Sequence, residues 1–219
     1  DTVLNIAALG VLGNDVPTPS TYQAGAGGSL AGATELDGLF GPADLSRLNM
    51  DDVNSVTLDA GTYDVSSISF NADAGTGGGY VRPILAVSTG NDVYETIWVG
   101  GEIAVTTSGV QTATITGESF TIGETTEIYS GVYHADGAAV YFASTGGGAS
   151  DHDGSGTEPT AAGQTVNFSN PNIGRTYAFG VEIAQQPLTI TAFDAVSANG
   201  AAVTVNPDGS FTYDPTGSA

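Results

Sequence analysis

The stretch Tyr177-Ala178-Phe179-Gly180-Val181-Glu182-Ile183 decides the fold class of this chain. Large apolar residues occupy every second position and small or polar residues stand between them, which is the pattern of a strand with one buried face. A second alternating run over residues 63–70 changes parity at Ser66-Ser67, which predicts a β-bulge. Clusters of Gly, Asn, Asp and Ser separate the strand-like runs, so the sequence predicts an all-β, antiparallel, jelly-roll-like sandwich. The further runs cover residues 81–87, 93–99, 102–106, 111–115, 119–122, 127–133, 139–143 and 165–168.

Three segments depart from the strand pattern. Residues 42–50 carry proline near their start and Leu45 and Leu48 three positions apart, which favours one or two helical turns. Residues 22–32 and 146–163 are rich in Gly, Ser, Thr and Asp, and we expect both to be loops.

Asn206-Pro207-Asp208-Gly209 predicts a sharp turn near the end of the chain. Proline presets φ at the second turn position, and glycine accepts a positive φ at the fourth. We therefore expect Val203 and Val205 to fold back against Phe211 and Tyr213 as a hairpin.

Two sets of motifs at opposite ends of the chain belong together. Gly10-Val11-Leu12-Gly13-Asn14-Asp15 stands near the start, and Leu188-Thr189-Ile190-Thr191 precedes Asn206-Pro207-Asp208-Gly209-Ser210-Phe211-Thr212-Tyr213 near the end. Together they resemble the bacterial cadherin-like (VCBS-type) repeat, an immunoglobulin-like sandwich of large calcium-dependent adhesins. In that family the first motif is followed within a few residues by the Leu-Thr-Ile-Thr strand. The resemblance therefore implies a repeat that is interrupted by a guest domain.

The predicted division has a discontinuous cadherin-like host, residues 1–19 and 186–219, and an inserted jelly-roll-like β-sandwich, residues 20–185. Insertions are tolerated at exposed turns where the entering and leaving chains lie close together. The insert resembles carbohydrate-binding modules in its strand rhythm. The host has too few strands for a complete immunoglobulin-like sandwich, so we expect neighbouring repeats or neighbouring subunits to cover its edges. The chain is then a piece of a longer polypeptide.

The charge balance excludes several partners. Three Arg, no Lys and 24 acidic residues give a net charge of −21. Such a surface repels nucleic-acid phosphates and anionic membranes. No apolar run approaches the roughly 20 residues of a membrane span, so we expect no membrane insertion. Cysteine is absent, so an extracellular chain needs another source of rigidity, for which Ca²⁺ is the expected cofactor.

Asp151-His152-Asp153-Gly154-Ser155-Gly156 is the most specific local signal for calcium. Oxygen-bearing side chains at alternate positions, followed by glycine at the sixth, match the first half of an EF-hand-like loop. Asp151, Asp153 and Ser155 are the predicted ligands. Position twelve is Ala162, so the usual bidentate Glu is missing. The alternative is a solvated loop without an ion.

The resemblance also implies calcium ligands in the host. Cadherin-like repeats place acidic residues near calcium sites between repeats, and Asn14, Asp15 and Asp194 stand at the matching positions. The alternative for Asn14 and Asp15 is turn formation, because such side chains bond nearby backbone amides.

Aromatic residues supply the predicted ligand contacts. By strand parity Trp98 shares a face with Tyr94, while Tyr129 and Tyr133 oppose the aliphatic residues of their own run. If the aliphatic faces point to the core, these four side chains form an outward platform that stacks on sugar rings. The alternative is the reverse orientation, with the aromatic residues inside the core.

Motifs of catalysis are absent from the sequence. It holds no Gly-x-Ser-x-Gly elbow, phosphate loop or dinucleotide fingerprint, and its two histidines exclude a three-histidine zinc site. We expect a non-enzymatic extracellular binding or adhesion module of a bacterial surface or secreted protein, whose insert binds a glycan or other cell-surface ligand. The alternative is a structural subunit of a surface fibre or layer that assembles by strand complementation.

Overall fold

All regular elements in the described part of the chain are β-strands, with no helix among them. The computed structural model describes residues 2–7, 20–25, 33, 35–36, 47–75, 78–144, 150–154, 157–168, 171–173, 175–187 and 193–216, with the backbone alone at 35–36, 142–144, 150–154 and 171–173. The strands are β1 (Leu4–Ile6), β2 (Thr21–Gly25), β3 (Glu35–Leu36), β4 (Arg47–Leu58), β5 (Gly61–Asp73), β6 (Gly79–Gly90), β7 (Val93–Val99), β8 (Ile103–Val105), β9 (Gly109–Thr114), β10 (Ser119–Ile122), β11 (Thr126–Ala135), β12 (Ala139–Ser144), β13 (Ser150–Gly154), β14 (Thr165–Asn167), β15 (Pro171–Ile173), β16 (Arg175–Tyr177), β17 (Phe179–Gln185), β18 (Ala202–Val205) and β19 (Phe211–Asp214).

The chain divides into two compact units: Asp1–Ser20 with Gln186–Ala219, and Thr21–Gln185. The smaller unit contains a three-stranded antiparallel sheet of order β1-β19-β18. Its hairpin turn confirms the prediction at residues 206–209, because the Asn206 N–H donates to the Ser210 carbonyl at 2.8 Å and Gly209 has a φ of 81°. The strand pairing sets Val203 opposite Tyr213 and Val205 opposite Phe211.

In the described part of the chain, the larger unit contains two antiparallel eight-stranded sheets. The first sheet has the order β16-β12-β5-β17-β2, with β9 and β10 also paired to β5 and β3 to β12. The second sheet has the order β14-β7-β6-β11-β4-β13-β15, with β8 also paired to β6. Side chains from both sheets meet in shared hydrophobic clusters. The prediction of an all-β antiparallel sandwich is therefore confirmed.

Alternation along β17 explains how the first sheet faces the core. Phe179, Val181 and Ile183 are fully buried, and the intervening Gly180 and Glu182 lie on the opposite face. Complete burial of one such side chain contributes about 1.5–3 kcal/mol to the free energy of folding. A strand shifted by one residue would expose all three, so this register is strongly specified.

The predicted bulge at Ser66-Ser67 is confirmed. Glu182 lies opposite Ser67 and Ile183 lies opposite Val65, so Ser66 is the extra residue on β5. The bulge restores the alternation, because both Val65 and Ile68 then reach the core.

Three other predictions are wrong where the structure describes the chain. Residues 47–50 open β4 instead of completing a helical turn, because β4 pairs with β11 on one side and β13 on the other. Thr21–Gly25 and Ser150–Gly154 are strands rather than parts of loops. In each case pairing with a neighbouring strand outweighs the local preference of the sequence.

The second sheet is covered on both faces. One face packs on the first sheet, and the other carries a cluster that includes Leu48, Ile84 and Tyr133. Residues 157–168 contribute to this cover, since Phe168 packs into the cluster and the Thr96 hydroxyl donates to the Ala161 carbonyl at 2.9 Å. Among the described residues no helix is long and apolar enough to cross a membrane.

Candidate functional site

The solvent-facing side of the first sheet carries a groove with a volume of about 430 Å³. Three neighbouring strands, β2, β17 and β5, supply its walls and floor. It is lined by Thr21, Tyr22, Gln23, Ser67, Ser69, Gly180 and Glu182.

Strand register brings these side chains together in two rows. Gln23, Glu182 and Ser67 lie opposite one another across the three strands, and Gly25, Gly180 and Ser69 form the next row. Gly180 in the second row has no side chain, so the groove floor lies lower there than at Glu182. The groove therefore combines one carboxylate, one amide and several hydroxyls on a rigid sheet.

Hydrogen bonds fix part of this polar floor. The Ser67 hydroxyl donates to Oε2 of Glu182 at 2.9 Å, and the hydroxyl oxygens of Ser69 and Thr112 lie 2.9 Å apart. Tyr22 lies opposite Ile183, so its half-buried ring is on the core face of β2, where it packs edge-on against Tyr63 with 6.1 Å between the ring centroids. The groove thus offers polar side chains, of which the Glu182 carboxylate is held by the Ser67 hydroxyl.

This chemistry suits a polyhydroxylated ligand. Hydroxyls, an amide and a carboxylate supply both donors and acceptors, which is what the hydroxyl groups of a sugar require. Among the described residues that line the groove, Glu182 is the only carboxylate. Among the described residues no three His, Cys, Asp or Glu side chains are grouped closely enough to hold a metal ion.

Trp98 does not lie on the face predicted for it. Leu85 lies opposite Trp98 and Ala86 lies opposite Thr96, so Ile97 is an extra residue that reverses the parity of β7. The indole therefore packs into the core between the sheets, where it is 5% exposed. Its Nε1–H donates to Oε2 of Glu118 at 2.9 Å.

Tyr94, Tyr129 and Tyr133 lie on the other face of the second sheet, but this face is not open. Tyr94 is 2% exposed and Tyr133 is 5% exposed, and both pack in the cluster that Phe168 helps to cover. Tyr129 is half-buried, and its ring centroid lies 5.4 Å from that of Tyr94. The four aromatic residues therefore do not form a shared outward platform. The bulge at Ile97 turns Trp98 toward the core, and Tyr94 and Tyr133 are buried in the cluster to which residues 157–168 contribute.

Two of these tyrosines face carboxylates that disfavour the phenolate. The Tyr94 hydroxyl donates to Oδ1 of Asp52 at 2.7 Å, and burial together with this bond raises the pKa of Tyr94. Burial, followed by a hydrogen bond to Glu127, raises the pKa of Tyr129 to about 12. Both side chains act as hydrogen-bonded parts of the cover.

A row of polar residues also lies inside the sandwich. Asn49, Asp51 and Ser130 are fully buried on the adjacent strands β4 and β11, and Ser130 lies opposite Asp51. Within the described chain neither the Asn49 amide nor the Ser130 hydroxyl has a hydrogen-bond partner. Burial is the main cause that raises the pKa of Asp51, although its carboxylate accepts bonds from the backbone N–H groups of Val53 and Asn54.

Three of the six predicted calcium ligands, Asn14, Asp15 and Ser155, lie outside the described residues. Asp151 and Asp153 belong to strand β13, described by its backbone, which pairs with β15 and β4. Asp194 is exposed in the smaller unit. The calcium sites stay a prediction.

Sequence reasoning missed the groove. Ser67, Ser69, Gln23 and Glu182 each occupy the polar positions of an alternating strand, which is also how any solvated sheet face looks. Only the order β2-β17-β5, which pairs distant segments, brings them together. Glycine at position 180 of a strong strand was the available signal, because glycine inside a strand often marks close approach by another molecule.

No family model and no curated protein matches the chain. Among solved structures it is similar to the cysteine protease and lectin-like domains of Cwp84, a surface layer associated protein of Clostridium difficile. The TM-score is 0.35 and the sequence identity is 9%. The match covers 65% of this chain and 32% of that chain.

Proposed function

We propose that this chain is a non-enzymatic extracellular binding module of a large bacterial surface or secreted protein, and that the groove on the first sheet binds a glycan. The observation that carries this proposal is the polar row formed by Gln23, Glu182 and Ser67 at the groove floor. The Ser67 hydroxyl holds the Glu182 carboxylate in place, so this side chain loses less conformational freedom when it binds a hydroxyl-rich ligand.

The charge of the protein limits the glycan class. With a net charge of −21 the surface repels sulfated and uronate-rich polymers, so neutral or positively charged saccharides are the compatible ligands.

A glycan array followed by titration calorimetry tests the proposal. We expect the Gln23→Ala/Glu182→Ala double variant to lose at least about tenfold in affinity, since each removed hydrogen bond is worth about 0.5–1.5 kcal/mol and more when charged. Glu95→Ala/Glu124→Ala is the matched control, because both glutamates are exposed outside the groove. Equal losses in the two double variants, or an array without any bound glycan, would remove the groove from consideration.

The second candidate is a structural subunit of a surface fibre, in which a strand from a neighbouring molecule completes the smaller unit. One observation favours it: among the described strands β1 lies at the edge of its three-stranded sheet. Its first residue, Leu4, is 49% exposed, and the preceding Val3 is 39% exposed. An edge strand with exposed apolar residues is a template for strand addition. Size-exclusion chromatography and negative-stain images with and without calcium test this, and a monomer at every concentration would contradict it.

A further inference from the structure

We propose that the groove on the first sheet prefers saccharides that carry a free amine, that is, amino sugars, over their N-acetylated and acidic counterparts. This inference rests on the proposed function and names the ligand class of the same groove. It depends on the placement of the positive and negative charges of the larger unit.

Among the described residues that line the groove, Glu182 carries the one charged side chain and none is a cation. Arg82 lies on the second sheet, where it bonds Glu158, Glu102 and the Gly100 carbonyl. Arg47 belongs to β4 of the second sheet and Arg175 to β16, and neither lines the groove. A bound carboxylate or sulfate would therefore meet a carboxylate with no compensating charge, whereas an ammonium group would meet an opposite charge.

The carboxylate of Glu182 is held by one hydrogen bond and can accept others. The Ser67 hydroxyl occupies Oε2 at 2.9 Å, and Oε1 accepts no hydrogen bond from the described residues. The side chain is exposed, so it keeps contact with solvent until a ligand arrives. A carboxylate accepts as many as four hydrogen bonds, so Oε1 suits an ammonium donor.

The neighbouring groups supply what the rest of an amino sugar needs. The Gln23 amide lies beside Glu182 in the same row and offers a donor and an acceptor to adjacent hydroxyls. An N-acetyl group lacks the positive charge that would pair with the Glu182 carboxylate.

Titration calorimetry with four probes of equal length tests the preference: a glucosamine tetramer, an N-acetylglucosamine tetramer, a galacturonate tetramer and a lysine tetrapeptide. We expect the glucosamine tetramer to bind about tenfold more tightly than the acetylated one, because a charge-assisted hydrogen bond is about twice as strong as a neutral one. Glu182→Gln should abolish this difference and Glu124→Gln, an exposed control outside the groove, should preserve it. The difference in affinity between the glucosamine tetramer and the acetylated tetramer should also decrease at higher salt, because salt screens the charges.

The outcomes separate this inference from the proposed function. If the acetylated tetramer binds as tightly as the free amine, the glycan-binding proposal stands and the amine preference is wrong. If the preference for the free amine survives Glu182→Gln, it comes from the overall charge of the protein. The same conclusion follows if the lysine peptide binds as tightly as the glucosamine tetramer. Either result overturns the inference. If no saccharide binds, both proposals fail together.

Discussion

The indole Nε1–H of Trp98 donates a 2.9 Å hydrogen bond to Oε2 of Glu118, and this bond joins the core between the sheets to the segment before β10. Glu118→Leu would leave the N–H of a 5% exposed indole without an acceptor, so we expect the free energy of unfolding to fall by about 1–3 kcal/mol. Glu118→Gln keeps an acceptor and should lose less. Urea titration followed by the fluorescence of Trp98, the single tryptophan, measures both.

Removal of the buried Thr96 hydroxyl should destabilise the fold, whereas removal of the buried Ser130 hydroxyl should not. The Thr96 hydroxyl donates to the Ala161 carbonyl at 2.9 Å and accepts from the Gln164 N–H at 3.0 Å, so Thr96→Val should destabilise the fold by about 1–2 kcal/mol. Ser130 is equally buried but has no partner in the described chain, so Ser130→Ala should change stability by less than about 0.5 kcal/mol or increase it. Chemical denaturation compares the two, and a Ser130→Ala loss as large as that of Thr96→Val would contradict the expectation.

Arg82 joins the second sheet to residues 157–168, which cover part of its outer face. Its guanidinium donates to Glu158 at 2.6 Å, to Glu102 at 2.9 Å and to the Gly100 carbonyl at 2.9 Å, and its side chain is 14% exposed. We expect Arg82→Met to cost about 1–3 kcal/mol and to speed amide exchange across residues 157–164. Glu102→Gln alters a partner that is 55% exposed and should cost less than about 1 kcal/mol. Equal effects of the two variants would show that the contact with Glu158 is unimportant.

Stability should decline above pH 10 because of the tyrosines on the second sheet. The pKa of Tyr129 is raised to about 12, chiefly by burial, while an unfolded tyrosine ionises near 10. The neutral phenol therefore contributes its stability fully below pH 10, and this contribution is lost between about pH 10 and 12 as the unfolded state ionises first. Burial also raises the pKa of Tyr80 and Tyr94, which extends the loss to higher pH. Urea titrations at increasing pH should show a shallower decline in Tyr129→Phe than in the parent protein.

Calcium should stabilise the protein if the predicted sites exist. An ion that binds only the native state adds RT ln(1 + [L]/Kd), or about 2.7 kcal/mol at a hundredfold excess over Kd. We expect exhaustive chelation to lower the melting temperature, and Asp151→Asn/Asp153→Asn to remove most of that response. A Glu95→Gln/Glu124→Gln variant controls for the general loss of negative charge. A melting temperature that chelation leaves unchanged would contradict the calcium hypothesis.

The sequence predicted the elements whose pattern is local. Alternation of Phe179, Val181 and Ile183 identifies a half-buried strand without knowledge of its neighbours, and the turn at residues 206–209 follows from proline and glycine. The bulge at Ser66 was also visible, because two serines interrupt a regular apolar alternation.

The failures have one cause, which is that strand partners are not local. The Ile97 bulge breaks no apolar alternation, so simple parity placed Trp98 on the wrong face. Residues 47–50 carry apolar residues that fit a helix as well as a strand, and only pairing with β11 decides between them. The groove depends on the order β2-β17-β5, which brings together segments more than 100 positions apart, such as Gln23 and Glu182.

The sheet of the smaller unit has a mechanical consequence. Leu4 lies opposite Tyr213 and Ile6 lies opposite Phe211. The chain before Leu4 and the chain after Tyr213 therefore leave the β1–β19 ladder at the same end. Tension that pulls on the residues before Leu4 and after Asp214 would therefore unzip this ladder one residue pair at a time, so that its hydrogen bonds break in succession instead of all at once.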